Sequence, residues 1–149
     1  MITIPSAIDG QPFLLQELEQ VMKPLGYVIN GGWEYDHGYF DYKIDDRDGY
    51  LFLRIPVNAI QGSLDERGAA VRIGTPFMLR QVFQPGLDDH AEGGPFQSLF
   101  NQFSEPERRD AEIDPAYLDI GASLVKELED WVKAQGIDPF QALYMKEEG

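Results

Sequence analysis

The sequence predicts a two-layer α+β domain in which two helices lie on one face of an antiparallel sheet. Three observations point there. Residues 33–57 read as three strands joined by two turns and hold most of the aromatic residues of the first half. Two segments, one near each end, carry apolar residues at helical spacing along a single stripe. The connections between the central strands are hairpin-short, which makes neighbouring strands antiparallel.

The chain has 149 residues, 43% of them hydrophobic and 26% charged, enough for one domain with an ordinary core. That domain is assigned to residues 1–134, and 135–149 to a C-terminal extension with a short helix.

Taken in order, Ile2 to Ile4 is a β-prone edge segment ended by Pro5. Asp9, Gly10 and Pro12 form a turn into a helix from Phe13 to about Lys23, with Leu14, Leu18, Val21 and Met22 as its apolar stripe. Pro12 suits the first helical turn; Pro24 and Gly26 mark the stop. Tyr27 to Ile29 is a strand closed by Asn30-Gly31-Gly32, and Asp36-His37-Gly38 reads as a tight turn. Beyond it Phe40, Tyr42 and Ile44 fall on the core face, with Tyr39, Asp41 and Lys43 opposite. Asp45 to Gly49 is a polar hairpin loop. After it Leu51, Leu53 and Ile55 alternate with Tyr50, Phe52 and Arg54, a pattern apolar on both faces at first. Residues 58–69 are a polar connection. Val71 and Ile73 begin a strand interrupted by Gly74 and Pro76, either a bulge or a turn, before Phe77 to Phe83. Residues 85–115 form a long loop punctuated by Pro and Gly. The second helix starts at Asp114 as N-cap with Pro115 at its first position and stops at Gly136. Leu118, Gly121, Leu124, Val125, Leu128, Trp131 and Val132 form its buried stripe, and Lys126–Asp130 and Glu129–Lys133 its exposed i, i+4 pairs.

Composition excludes several functions. There is no cysteine, hence no disulfide, thiolate nucleophile or thiolate metal site. No apolar run reaches the ~18 residues of a membrane span, and the N-terminal residues lack the basic flank and apolar stretch of a secretory signal. A cytoplasmic location is expected. The formal charge of −14 repels nucleic acid and anionic membranes, so neither is expected as a partner.

Catalytic constellations are missing. None of the serines lies in G-x-S-x-G, and the Gly-Gly pairs lack a phosphate-loop frame. Asp45, Asp46, Asp48 and Gly49 echo a calcium loop, but Ile55 stands where its glutamate belongs. The two histidines each follow aspartate, Asp36-His37 and Asp89-His90. If their loops met, they would offer a mixed nitrogen and oxygen site for a divalent metal. Half of the clustered aromatics must point away from the helices, and Tyr39, Tyr50 and Phe52 are the candidates for a subunit interface. The leading expectation is therefore a non-catalytic binding or interaction domain that forms a homodimer, or meets an unknown protein partner, with no cofactor. The first alternative is a divalent-metal enzyme or metal sensor built on Asp36, His37, Asp89 and His90. The second is a small-ligand pocket between sheet and helices, gated by residues 85–115.

Several blocks also resemble a known family. They are I-P-S-A-I-D-G at 4–10, K-P-L-G-Y at 23–27 and W-E-Y-D-H-G-Y-F-D-Y-K-I-D-D at 33–46, then G-L-D-D-H-A at 86–91, N-Q-F-S-E-P at 101–106 and D-A-E at 110–112. Over residues 1–134 the chain is similar to the YugN-like family of small bacterial proteins. That resemblance implies a curved antiparallel sheet with two helices, a TATA-binding-protein-like arrangement, and implies no biochemical activity.

Overall fold

The first strand pairs next to nothing of its own neighbourhood: β1 (Ile2–Thr3) lies antiparallel along β7 (Phe77–Gln81), far away in sequence. The structure is a computed structural model and describes residues 1–31, 36–47, 49–60, 68–81 and 113–137. Between β1 and β7 in the chain come β2 (Pro12–Leu14), α1 (Leu15–Leu25), β3 (Val28–Asn30), β4 (His37–Asp45), β5 (Tyr50–Ala59) and β6 (Ala70–Ile73), and α2 (Pro115–Ala134) follows. The seven strands make one antiparallel sheet in the order β1-β7-β5-β4-β3, with β6 beside β5 and β2 beside β6. Both helices contribute to one core against one sheet face, so the two-layer α+β reading is correct.

The start of α1 differs from expectation. Pro12, Phe13 and Leu14 pair with Arg72, Val71 and Ala70, so Pro12 opens a strand rather than a helix. Proline is tolerated there because β2 is an edge strand. The chain passes directly from strand to helix, and the Leu15 amide donates to the Ala69 carbonyl at 2.9 Å, so no polar N-cap is needed. At the other end Pro24 lies within the last turn and Gly26 takes φ +109°. The amide of Gly26 donates to Lys23 and that of Tyr27 to Met22, a left-handed cap that turns Tyr27 inward.

The Asp36-His37-Gly38 segment is not a tight turn. His37 and Gly38 already belong to β4, paired with Asn58 and Val57, and only Asp36 lies outside the strand. The alternation beyond it is as expected. Phe40 is fully buried, Tyr42 and Ile44 pack on the core edge, and Leu51, Leu53, Ile55 and Val57 of the central strand β5 are all at 0% exposure. The choice at Gly74 to Pro76 resolves as a bulge. Arg54 pairs with Phe77 and Val57 with Ile73, so two residues of β5 face three residues of the interrupted strand. Gly74 bonds the Pro56 carbonyl at 2.9 Å, and a Cβ there would stand 3.2 Å from the Pro56 ring.

Leu18, Val21 and Met22 of α1 meet Val125, Leu128 and Val132 of α2 over this face. Gly121 brings α2 closest to the sheet: an added Cβ would lie 2.5 Å from Met78 Sδ and 2.7 Å from Ile4 Cδ1. Trp131, expected in the buried stripe, is 45% exposed instead. The sheet covers only part of the helix's apolar arc. The expected Glu129–Lys133 pair is also replaced, because Glu129 accepts from Ser6 Oγ at 2.7 Å and the Ala7 amide at 2.9 Å. The expected segments at 85–112 and 138–149 lie outside the described residues.

Candidate functional site

The outer sheet face carries the residues expected at an interface, and they are engaged within the chain. Tyr39 lies beneath the Arg54 guanidinium, 4.4 Å from ring centroid to Cζ. Arg54 in turn grips Asp41 with two parallel hydrogen bonds, Nε to Oδ1 at 2.8 Å and Nη2 to Oδ2 at 2.9 Å. Asn30 donates to the same Oδ2 at 3.0 Å. This arrangement follows from register, because Asp41 and Arg54 are direct partners across β4 and β5, and Asn30 faces Tyr39 on β3. The Asp41 side chain is fully buried and that of Arg54 is 15% exposed. Tyr50 and Phe52 pack on each other at 5.8 Å, with the Lys43 ammonium 5.2 Å from the Tyr50 ring. Tyr39, Tyr50 and Phe52 are each half-buried, and Leu79, beside Phe52 on this face, is 3% exposed. The outer face is thus a packed polar and aromatic layer rather than an open patch.

Large exposed apolar side chains stand elsewhere. On β3 they are Val28, 59% exposed, and Ile29, 38% exposed; on α2 they are Ile120 and Trp131. Among the described strands β3 is the last of the sheet, with β4 on its one paired side. Two shallow concavities, about 510 and 310 Å³, run along the outer side of α2 past Ile120, Leu124, Glu127 and Trp131. They are not the cavity expected between sheet and helices. Among the described residues, Leu18, Met22, Leu53 and Leu128 pack between sheet and helices at 0% exposure.

Of the metal candidates, the structure places Asp36 and His37. They are exposed at the outer end of β4, His37 Nδ1 lying 3.1 Å from Asp36 Oδ1. That hydrogen bond holds the Asp36 carboxyl below its usual range. Asp89 and His90 lie outside the described residues. The chain leaves β7 at Gln81, opposite Tyr50, whereas His37 lies opposite Asn58. The two points are separated by about 26 Å along β5, at ~3.3 Å per residue. Among the described residues no three His, Asp or Glu side chains gather as a metal site.

Two features had no sequence expectation. The Tyr27 hydroxyl is buried with no hydrogen-bond partner among the described residues, in a ring pair with Tyr42 at 5.5 Å. Burial, with Glu127 and Tyr42 adding to it, pushes its ionisation far above the ordinary phenol range. Only its period-2 place before β3 was visible in the sequence; nothing marked its hydroxyl as unsatisfied. Arg80 is buried on the helix-side face, its guanidinium 6.0 Å from the Tyr117 ring. Tyr117 also accepts from Arg47 at 2.7 Å, tying the β4–β5 hairpin to the start of α2.

Fold and surfaces together define a two-layer α+β domain with exposed apolar residues on β3 and on one outer face of α2 among the described residues. The model of the YugN-like family matches residues 3–132, and the chain belongs to that family. It is 95% identical over 130 residues to the uncharacterized protein YugN of Bacillus subtilis strain 168, covering 87% of this chain and 97% of that protein. A second protein of that strain, the uncharacterized YlbA, is 24% identical over 83 residues, or 56% of this chain and 69% of that one. Among solved structures, the crystal structure of the uncharacterized conserved protein YugN from Geobacillus kaustophilus HTA426 is similar in fold. The TM-score is 0.64 at 18% identity, over 90% of this chain and 96% of that one.

Proposed function

We propose that the protein is a non-catalytic binding module of the cytoplasm that self-associates through the open edge of its sheet. One observation carries this reading. β3, the last of the described strands, presents Val28 and Ile29 to solvent, and none of its three residues is a proline or carries a charge of the kind that blunts such edges. A second copy can extend the sheet there by strand pairing and cover both side chains. This reading sets the interface on β3 rather than on Tyr39, Tyr50 and Phe52, which are half-buried against neighbours in the chain. No described helix is long and apolar enough to cross a membrane.

A second reading, a divalent-metal enzyme or sensor, draws on the Asp36–His37 contact. A carboxylate bonded to one imidazole nitrogen orients the other nitrogen outward, as in many metal sites. Native mass spectrometry tests both readings on one sample. A dimer that Val28→Lys converts to monomer, while Ile120→Lys leaves it intact, supports the sheet-edge contact. A monomer at every accessible concentration overturns it. A stoichiometric metal lost in both His37→Ala and His90→Ala would establish the second reading instead.

A further inference from the structure

The apolar arc of α2 is wider than the surface the sheet covers. Gly121, Val125, Leu128 and Val132 form a stripe at i, i+4, i+7 and i+11, and all four are buried. One residue earlier, Ile120, Leu124, Glu127 and Trp131 repeat the same spacing, so they form a second seam beside the first. Ile120 is 43% exposed and Trp131 45% exposed, while Leu124 is half-buried. The seam runs about 16 Å, three helical turns at ~1.5 Å per residue. It coincides with the two shallow concavities on this side of the helix.

Charge selects the occupant. Asp119, Glu127 and Asp130 border the seam, and the one cation among its described lining residues, Lys126, is held by Asp130 at 2.8 Å. Neither Asp119 nor Glu127 has a hydrogen bond or ion pair among the described residues, and Glu127 stands one turn before the exposed indole of Trp131. An exposed carboxylate with no ion pair among the described residues, beside an open aromatic face, suits a guanidinium or ammonium, which can pair with one and lie over the other. A second copy seated seam to seam is a poor fit, because Asp119, Glu127 and Asp130 would meet their own counterparts and set acids against acids. Nucleic acid and anionic lipid fail for the same reason.

We propose that the Ile120–Trp131 seam of α2 seats a basic amphipathic helix of a partner protein, with a cationic side chain on Trp131 and Glu127. This surface is separate from β3, so the inference does not rest on the self-association reading.

The test is an amide-resolved NMR titration of the 15N-labelled protein with an 18-residue Leu/Lys/Arg amphipathic peptide and its Leu/Glu counterpart. The basic peptide should shift signals of residues 119–131 selectively, and the acidic one should not. Trp131→Ala and Glu127→Gln should each weaken binding about fivefold or more, and both sites are exposed, so the fold is retained in the second even if the first is unstable. Raising salt from 50 to 300 mM should weaken binding further. Equal binding of the acidic peptide, shifts centred elsewhere, or unchanged affinity in Glu127→Gln would overturn the proposal. So would shifts of the 119–131 signals on concentrating the protein alone, which assign the seam to a second copy, or on adding phosphatidylglycerol vesicles, which assign it to a membrane.

Discussion

Removing the Asp41 carboxylate is expected to destabilise the fold mainly through what it leaves behind. Arg54 would keep its charge at 15% exposure with its one carboxylate partner among the described residues gone. Breaking a buried pair from one side costs about 3–5 kcal/mol, and the partial exposure of Arg54 places Asp41→Ala near the low end, at about 3 kcal/mol. Arg54→Met should cost about 4 kcal/mol. It strands a fully buried carboxylate that, among the described residues, keeps the Asn30 amide as its side-chain donor, and it removes the cation over Tyr39. The double variant holds no stranded charge and should cost no more than the worse single one, a coupling of about 3 kcal/mol. Urea unfolding followed by circular dichroism reads this directly. With a slope of about 1.5 kcal/mol per molar, each single variant should lower the midpoint by roughly 2 M or more. Additive effects, with coupling below about 0.5 kcal/mol, would refute the claim that the pair acts as one buried unit.

Other expectations concern the core and its titration. Gly121→Ala should cost about 1–2 kcal/mol, since Met78 and Ile4 can withdraw their side-chain ends, and Gly121→Val more than about 3 kcal/mol; thermal melts of both variants check the order. Tyr27→Phe removes a buried hydroxyl that bonds nothing described and should stabilise the protein at pH 7 by about 1 kcal/mol. Tyr27 also ionises far above its unfolded value of about 10, so its contribution is fully present below pH 10 and is lost as pH rises. Between pH 10 and 12 the wild type should lose stability faster than Tyr27→Phe by about 1.4 kcal/mol per pH unit. Asp36 behaves with the opposite sign: its carboxyl is depressed by His37, so any stability it adds is present above the ordinary carboxylate range and fades on acidification. Comparing His37→Ala with the wild type between pH 5 and pH 2 checks this.

Much of the fold was legible because alternation reports faces reliably. The period-2 runs at 39–44 and 50–55 placed Phe40, Leu51, Leu53 and Ile55 on the core face without error. Alternation does not report what covers the other face. Tyr39, Tyr50 and Phe52 are half-buried there, Tyr39 under the Arg54 guanidinium and Tyr50 against Phe52, contacts that alternation alone does not give. The boundary errors share a cause: Pro12-Phe13-Leu14 and His37-Gly38 were read by local turn chemistry, whereas pairing with Val71 and Val57 decides them. The helix stripe was read too broadly, since spacing alone could not separate the buried seam at Gly121 from the exposed one at Ile120. The structure also gives the I-P-S-A-I-D-G block a structural role. Ile4 and Ile8 are buried, Ser6 is held by Glu129, and Asp9 accepts from Thr75 at 2.6 Å.

Salt separates the two surfaces, because their electrostatics have opposite signs. Pairing two β3 edges brings −14 against −14. At a centre separation of ~35 Å that repulsion falls roughly tenfold as the Debye length shrinks from about 30 Å at 10 mM salt to about 10 Å at 100 mM. The contact itself is apolar and backbone-mediated, so nothing in it weakens with salt, and the dimer should tighten as salt rises. A basic helix on α2 is drawn by the same charge and should loosen over that range. Sedimentation equilibrium at 10 and 100 mM salt, with and without the basic peptide, measures both trends in one series. A homodimer that dissociates on adding salt would mean that copies of the chain meet through ion pairs, and the exposed Val28 and Ile29 would then not be the seam between them.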